Sequence, residues 1–413
     1  MAQFVSTSAP AFPLTPRLPV FGWSTFGGKQ AGDTPCLLDR PDVVYTTSGR
    51  ASILLAMEEL GVKRGDQVLM PTYHCPTMIA PVESLGAEVV FFPITQTGAP
   101  DLAWLARQDT TRVRVMLAAH YFGLPQPMGA VRQWCDQRGI ALIEDCAHAL
   151  FGQSEGRAIG SWGDVAIGSL TKFLPVPEGG CWLVNRDRIP APELHRCGNV
   201  QHLKAGIDIL DVGAQYQRLP GLNSALRASL ALLRLLRRPT RPHGLGSPPA
   251  TDLAAAAQAE AMDGFTIDSE LAHRRLSAPS RWVSQAAPRG RNVALRRRNY
   301  RLFADALSSH NGMRPLLPDL PEHCAPYVFP LWVQTPDPGY SQLRAMQFPV
   351  SRWDRLWPSV PSLDGDAGIG WSHHMLQLAC HQDLSPDDVA RMARVVLSLY
   401  TSPLSIAPAV THP

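Results

Sequence analysis

The chain has 413 residues, of which 45% are hydrophobic and 18% charged, a balance that suits a folded enzyme and excludes a disordered or fibrous chain. Its formal charge of +3 is far from the strongly basic surface that a nucleic-acid partner requires. The length predicts a large domain with a smaller companion, with room to enclose a cofactor.

Pro10, Pro13, Pro16 and Pro19 interrupt the start of the chain, where no apolar run is long enough for a signal peptide or an anchor. Residues 1–40 are therefore expected to form a loose, Pro-rich arm. No later stretch reaches the roughly 18 uninterrupted apolar residues of a membrane span. The eight cysteines, at 36, 75, 135, 146, 181, 197, 324 and 380, form no CxxC pair and share no regular spacing with histidine. This argues against a zinc site or any other metal centre, and against a disulfide framework; reduced thiols in the cytoplasm are expected.

From Val43 to about Asn185, short apolar runs alternate with amphipathic stretches punctuated by Gly, Pro or Asp, the pattern of repeated βα units. Strands are expected at Gln67 to Met70, Glu88 to Phe92, Val113 to Ala118, Ile140 to Glu144 and Cys181 to Val184, with helices starting near Ala51, Thr77 and Met128. The expected fold class is α/β: a large, mostly parallel sheet over 41–205, with helices on both faces. Residues 206–290 change character. A helix from Leu222 to Leu236 carries Arg227 and Arg234, continues into Arg237 and Arg238, and breaks at Pro239 into a Pro/Gly-rich tract. It reads as an insertion that is either solvated or packed on a partner, or as a basic amphipathic helix lying on a membrane surface. Residues 291–413, with an Arg-rich helix to about Leu307, a strand from Tyr327 to Val333 and a closing helix from Pro386 to Leu399, predict a small α+β domain.

Three segments carry chemistry. Ile143-Glu144-Asp145-Cys146-Ala147-His148 is an apolar strand ending in an acid at the carboxyl edge of the sheet, where open α/β sheets bind ligands. A carboxylate there can pair with a protonated pyridine nitrogen, or simply cap a helix. Gly168-Ser169-Leu170-Thr171-Lys172 precedes Pro175 to Gly180 and a second strand. A buried lysine loses proton affinity and can act as nucleophile and base, although most lysines are solvated. Thr47-Ser48-Gly49-Arg50-Ala51 lies between a short strand and a helix start, where backbone N–H groups and the helix dipole favour a phosphate. A serine cap accounts for the same residues; Ser169 can add a hydroxyl to the same phosphate.

With these segments in order, the chain resembles the sugar-aminotransferase branch of the fold-type I pyridoxal-phosphate enzymes, the DegT/DnrJ/EryC/StrS family, in an atypical form. The resemblance is clear over about 42–185 and returns from Arg291 to about Val396. It is carried by Ser48-Gly49-Arg50-Ala51, Gly65 to Pro71, Glu144-Asp145 with Ala147-His148, Gly163-Asp164 and Ser169 to Gly180. It implies pyridoxal 5'-phosphate as cofactor, Lys172 as the Schiff-base lysine, Asp145 on the pyridine nitrogen, Ala147 against the ring and His148 near the phenolic oxygen. Gly49, Arg50 and Ser169, with Ser48, are implied for the phosphate.

The chain departs from the family at several points. Relatives place two more residues between the phosphate serine and the lysine, and many set an aromatic residue over the ring where this chain has Tyr73-His74-Cys75. Tyr73 or His74 is expected to provide that face. The Gly-x-Asn-x-Arg segment that reaches a neighbouring subunit is replaced by the region from Asp208 to Ser277, with Tyr216 and Arg218 as candidates for the exchanged contacts. His120 and Tyr121, at the end of a strand, are candidate substrate contacts or local packing, and His381 is expected to be a buried, hydrogen-bonded histidine.

The implied activity is transamination from an amino acid, glutamate or glutamine, to a keto acceptor such as a nucleotide-linked keto sugar or a secondary-metabolite intermediate, in a homodimer. Two alternatives stand beside it. One is a lyase, dehydratase or carbon–carbon bond-forming enzyme on the same cofactor, although the family's sugar dehydratases have histidine where this chain has Lys172. The other is a non-catalytic scaffold that kept the fold.

Overall fold

The computed structural model describes residues 12–26, 34–236, 266–308 and 310–401. The first part of the Pro-rich arm and the tract from Arg237 through Pro239 to residue 265 lie outside the described residues.

Elements of the first half run β1 (Val44–Thr46), α1 (Gly49–Glu59), β2 (Gln67–Pro71), α2 (Pro76–Ser84), β3 (Glu88–Phe92), α3 (Leu102–Leu105), β4 (Val113–Ala119), α4 (Gly129–Arg138) and β5 (Ala141–Cys146). A short ribbon, β6 (Gln153–Ser154) and β7 (Arg157–Ala158), leads to β8 (Val165–Ser169) and β9 (Gly180–Val184). Seven of these strands form one sheet in the order β1-β9-β8-β5-β4-β2-β3. Pairs from β3 through β2, β4 and β5 to β8 are parallel, while β9 runs antiparallel to both β8 and β1. A sheet covered on both faces needs apolar side chains pointing both ways, and β4, β5 and β8 are buried along almost their whole length.

The expected strands were found within two residues at each end. Strand β8 was not among them: it is only five residues long and contains Gly168, a residue depleted in strands. That glycine is needed, because a Cβ there would lie 2.7 Å from the Cys181 sulfur on β9.

The connecting helices α5 (Asn199–Gln215), α6 (Asn223–Leu236), α7 (Ser269–Ala272) and α8 (Ala278–Ala286) follow. Beyond them, α9 (Arg289–Leu307), β10 (Met313–Pro315), β11 (Val328–Val333), α10 (Gly339–Ala345), β12 (Val350–Ser351), α11 (Gly368–His374), β13 (Met375–Ala379) and α12 (Pro386–Tyr400) complete the described chain. The second sheet is antiparallel, in the order β10-β11-β13-β12. Tyr300, Phe303 and Leu307 from α9 and Val389, Met392 and Val396 from α12 pack with Phe329, Leu331, Leu376 and Leu378 into its core. No described helix is long and apolar enough to cross a membrane.

Candidate active site

Strands β8, β5 and β4 all end on the same side of the sheet, and the candidate residues gather there. The β1–α1 turn sits against the start of β9: a Cβ on Gly180 would meet the Ser48 carbonyl oxygen at 2.4 Å, and one on Gly49 would approach Ser169 Cβ to 3.3 Å. Glycine at these two places lets the α1 N-terminus lie directly beside Ser169. Ser48 caps the helix, its Oγ accepting from Ala51 N at 3.1 Å, so the capping alternative describes its present role. Ser169 Oγ lies 3.4 Å from Thr171 Oγ1. The Arg50 guanidinium donates to the Thr266 carbonyl, away from the turn that its backbone shapes.

Asp145 ends β5 and is 3% exposed. Among the described residues, its carboxylate receives one hydrogen bond, from Ala147 N at 2.8 Å. Burial pushes its pKa up, and the Ala147 N–H and the charge of Lys172 oppose that rise. A cation at its remaining oxygen would hold it ionised. Lys172 sits in the turn after β8 with its Nζ 5.5 Å from the centre of the Tyr327 ring. Burial draws its pKa down, against the influence of Cys75 and Asp145. His148 is kept well below the usual histidine range, first by burial and then by Lys172, and its Nδ1 is buried with no hydrogen-bond partner. Its ring lies 4.6 Å from both Tyr327 and Trp353. Between Asp145 and His148 stand the buried Cys146 and the small, partly open Ala147.

These residues fit a pyridine cofactor with a phosphate tail. A buried acid with a single donor, a lysine biased towards its neutral form, an orphaned imidazole nitrogen and a helix N-terminus beside a serine are the groups such a molecule would satisfy.

Other expected contacts are engaged elsewhere. Tyr73 is fully buried among Tyr121, Phe122, Trp353 and Trp371, and its hydroxyl accepts from Gln377 Nε2. His74 stacks on Phe91, and its Nε2 accepts from Trp357 N while Nδ1 faces the carbonyls of Pro71 and Thr72. Both side chains are buried at the turn after β2. His120 donates from Nε2 to Glu144 Oε1 at 3.0 Å and accepts from Gln126 N at Nδ1. Tyr121 donates to the Tyr73 carbonyl. Both are thus engaged in local hydrogen bonds. His381 is buried between the Pro16 carbonyl and the Asp383 N–H.

His120, Glu144 and Cys146 bring donor atoms within 4.8 Å of one another. Glu144 also accepts from Gly160, Trp162 and Gly163 N–H, so its hydrogen bonds tie the connection between β7 and β8 to the sheet.

Arg296 on α9 was not singled out in the sequence. It is fully buried, donating from Nη2 to the Lys172 carbonyl at 3.0 Å and from Nη1 to those of Pro326 and Tyr327 at 3.0 and 3.3 Å, while Nε meets Gln382 Oε1. Burial brings its pKa down to about 10. The signal lay in the helical period, which aligns Arg296 with the buried Val293, Tyr300, Phe303 and Leu307.

Residues 37–231 match the model of the DegT/DnrJ/EryC1/StrS aminotransferase family. This part of the chain is similar to that family. It is 31% identical over 149 residues to the GDP-perosamine synthase of Vibrio cholerae, covering 35% of this chain and 40% of that protein. It is 33% identical over 146 residues to the dTDP-4-dehydro-2,3,6-trideoxy-D-glucose 4-aminotransferase of Saccharopolyspora spinosa, covering 35% and 38%. The match thus spans about two fifths of the length of these curated relatives. In fold, the chain is similar to the crystal structure of NtdA from Bacillus subtilis with bound cofactor PMP, with a TM-score of 0.56, 16% identity and coverage of 88% and 74% of the two chains. The α/β fold, with its large, mostly parallel sheet, is what the chain shares with that structure.

Proposed function

We propose that this protein is a member of that family and a pyridoxal-phosphate-dependent aminotransferase, acting from glutamate or glutamine on a keto acceptor, a nucleotide-linked keto sugar or a secondary-metabolite intermediate. The observation that carries this reading is the convergence of Lys172, Asp145 and the orphaned His148 Nδ1 at one sheet edge, next to an open helix N-terminus. The sugar aminotransferase of Saccharopolyspora spinosa supports the acceptor class, and the PMP bound to NtdA supports the cofactor.

The cofactor, when bound, supplies an electron sink conjugated to the substrate's reacting carbon. The chain's own residues prepare the site for it. Lys172 would hold it covalently and would carry a proton at Nζ, aided by the burial that lowers its proton affinity. Asp145 would hold the proton of the pyridine nitrogen, His148 would stand near the phenolic oxygen, and the N–H groups of Gly49 and Arg50, with Ser169, would hold the phosphate. We assign the protein to the cytoplasm and to a homodimer, whose exchanged contacts come from Tyr216, Arg218 or α6.

Borohydride reduction followed by peptide mass spectrometry tests the reading. The chain contains four lysines, Lys29, Lys63, Lys172 and Lys204, so the assignment is unambiguous. The reduced cofactor is expected on Lys172; recovery on another lysine would overturn the proposal. A visible absorbance band that shifts when an amino acid is added distinguishes a catalyst from a scaffold.

A further inference from the structure

Arg296 ties together two segments that reach the sheet edge from different parts of the chain. Its Nη2 donates to the Lys172 carbonyl at 3.0 Å, in the turn after β8, and its Nη1 to the Tyr327 carbonyl at 3.3 Å, just before β11. Gln382 completes the link, accepting from Arg296 Nε at 2.8 Å and donating from Nε2 to the Phe173 carbonyl at 3.0 Å. Tyr327 is fixed from another side as well. Its N–H donates to the Phe122 carbonyl at 2.8 Å, and Gly123, at φ +86°, packs so closely that a Cβ there would stand 2.3 Å from Tyr327 N. The backbones of Lys172 and Tyr327 are therefore held in one frame by bonds that use neither side chain.

That frame sets a contact between the two side chains. The Lys172 Nζ lies over the Tyr327 ring, 5.5 Å from its centre, and the same ring meets His148 at 4.6 Å and Phe173 at 5.9 Å. An ammonium above an aromatic face is attracted by the ring's quadrupole, more strongly where water is excluded. The other titratable groups around the lysine nitrogen are Asp145 at the end of β5, Cys75 before α2 and His148, while the charges of Arg17 and Arg296 reach Tyr327. No hydrogen bond joins Lys172 Nζ to any of these groups among the described residues, so the ring face is the contact that places it.

We propose that Tyr327 is a positioning residue for Lys172: its ring face is the seat on which the lysine ammonium rests whenever the amine is not joined to the cofactor. The proposal rests on Lys172 as the cofactor lysine. A lysine side chain is a point charge on a flexible four-carbon stem, and once freed it has many rotamers to visit. The seat keeps the free amine at the edge that also carries Asp145 and His148, and it favours the protonated form against the burial that opposes it.

The test is made on the full-length protein, labelled with 13C at the lysine ε carbons and stripped of cofactor with hydroxylamine. Its four lysines give four signals, and Lys172→Arg identifies the one from Lys172. The Lys172 ε protons are expected upfield of the other three, since protons above a ring face are shielded. Tyr327→Leu is expected to abolish that shift and to lower the pKa read from the Lys172 signal by about one unit, through loss of the cation–π contact. Tyr327→Phe, which keeps the face and loses the hydroxyl, is expected to retain both. An unshifted Lys172 signal in the unmutated protein overturns the seat, and this holds even where Tyr327→Leu yields no folded protein. So does a Tyr327→Leu variant with an unchanged signal and pKa, or a Tyr327→Phe variant that loses both. Borohydride reduction of the loaded protein separates the two readings: cofactor on Lys172 with an unshifted signal in the stripped protein overturns the seat alone, whereas cofactor recovered on another lysine overturns the reading of Lys172 and the seat's purpose with it.

Discussion

The sheet edge around Asp145 and Lys172 and the helical segment from α5 to α8 are built on opposite terms. At the edge, side chains are held from every side: Tyr73, Phe122, His148 and Phe173 are at most 3% exposed, and Arg296 is completely enclosed. The helices leave apolar residues in water instead. Val200 is 77% exposed and Leu203 64%, and Trp282 joins Phe26 and Trp23 in an open aromatic cluster. Burial at the edge shifts the proton affinities of Asp145, His148 and Lys172 together, whereas the helices leave apolar surface open. The first region is where a small change should alter chemistry, and the second is where it should alter assembly.

The largest effect is expected from Lys172→Ala, which removes the attachment point and a proton carrier together. Turnover should fall at least about 10³-fold, and no cofactor should survive borohydride and denaturation on the chain. Asp145→Asn should lower turnover about 10²-fold while leaving the cofactor-free fold at least as stable, because the charged acid is disfavoured by burial. Steady-state rates and thermal unfolding of the stripped variant check both halves, and near-normal turnover would remove Asp145 from its role. Arg296→Met should cost about 2–4 kcal/mol in urea unfolding, since it leaves the carbonyls of Lys172, Pro326 and Tyr327 without their donor.

A smaller effect concerns pH. Burial holds His74 at about 4 and His381 at about 3, below the ordinary 6.5. Between those lowered values and 6.5 the unfolded chain binds protons that the folded chain does not, so stability declines as pH falls through that window, by about 1.4 kcal/mol per pH unit for each histidine. His74→Gln should therefore flatten the slope of unfolding free energy against pH by one such step; an unchanged slope would mean that His74 titrates normally in the fold. The smallest effect on the fold belongs to the helices. Trp23→Ser combined with Trp282→Ser should change stability of the single chain by only about 0.5 kcal/mol. If this patch joins two copies, light scattering should nevertheless show a shift towards monomer, which would separate the two regions cleanly.

The elements of the large sheet were legible because a buried parallel strand is an uninterrupted apolar run closed by Gly, Asp or Pro, as at Glu88 to Phe92. The order of Ser48, Asp145, Ser169 and Lys172 was legible because each is tied to the end of such a run. What the sequence hid was direction and reach. Tyr73, His74 and Cys75 are adjacent in one turn, and only the packing of Phe91 and Trp353 decides which of them turns inward. Arg296 resembled any other member of an Arg-rich helix, since a guanidinium satisfied by carbonyls leaves no acidic partner to find in the chain.

That guanidinium also bears on how the protein is made. The β1–α1 turn, Asp145 and Lys172 all precede residue 185, so a growing chain presents them well before α9 has been synthesised. The Arg296 contact closes a loop of 124 residues back onto the Lys172 carbonyl, an ordering step that local strand and helix formation must precede. The lysine thus takes its final seat late in biogenesis, and a chain stopped before α9 would carry every residue read from the motifs while lacking the clamp that fixes the one on which they converge.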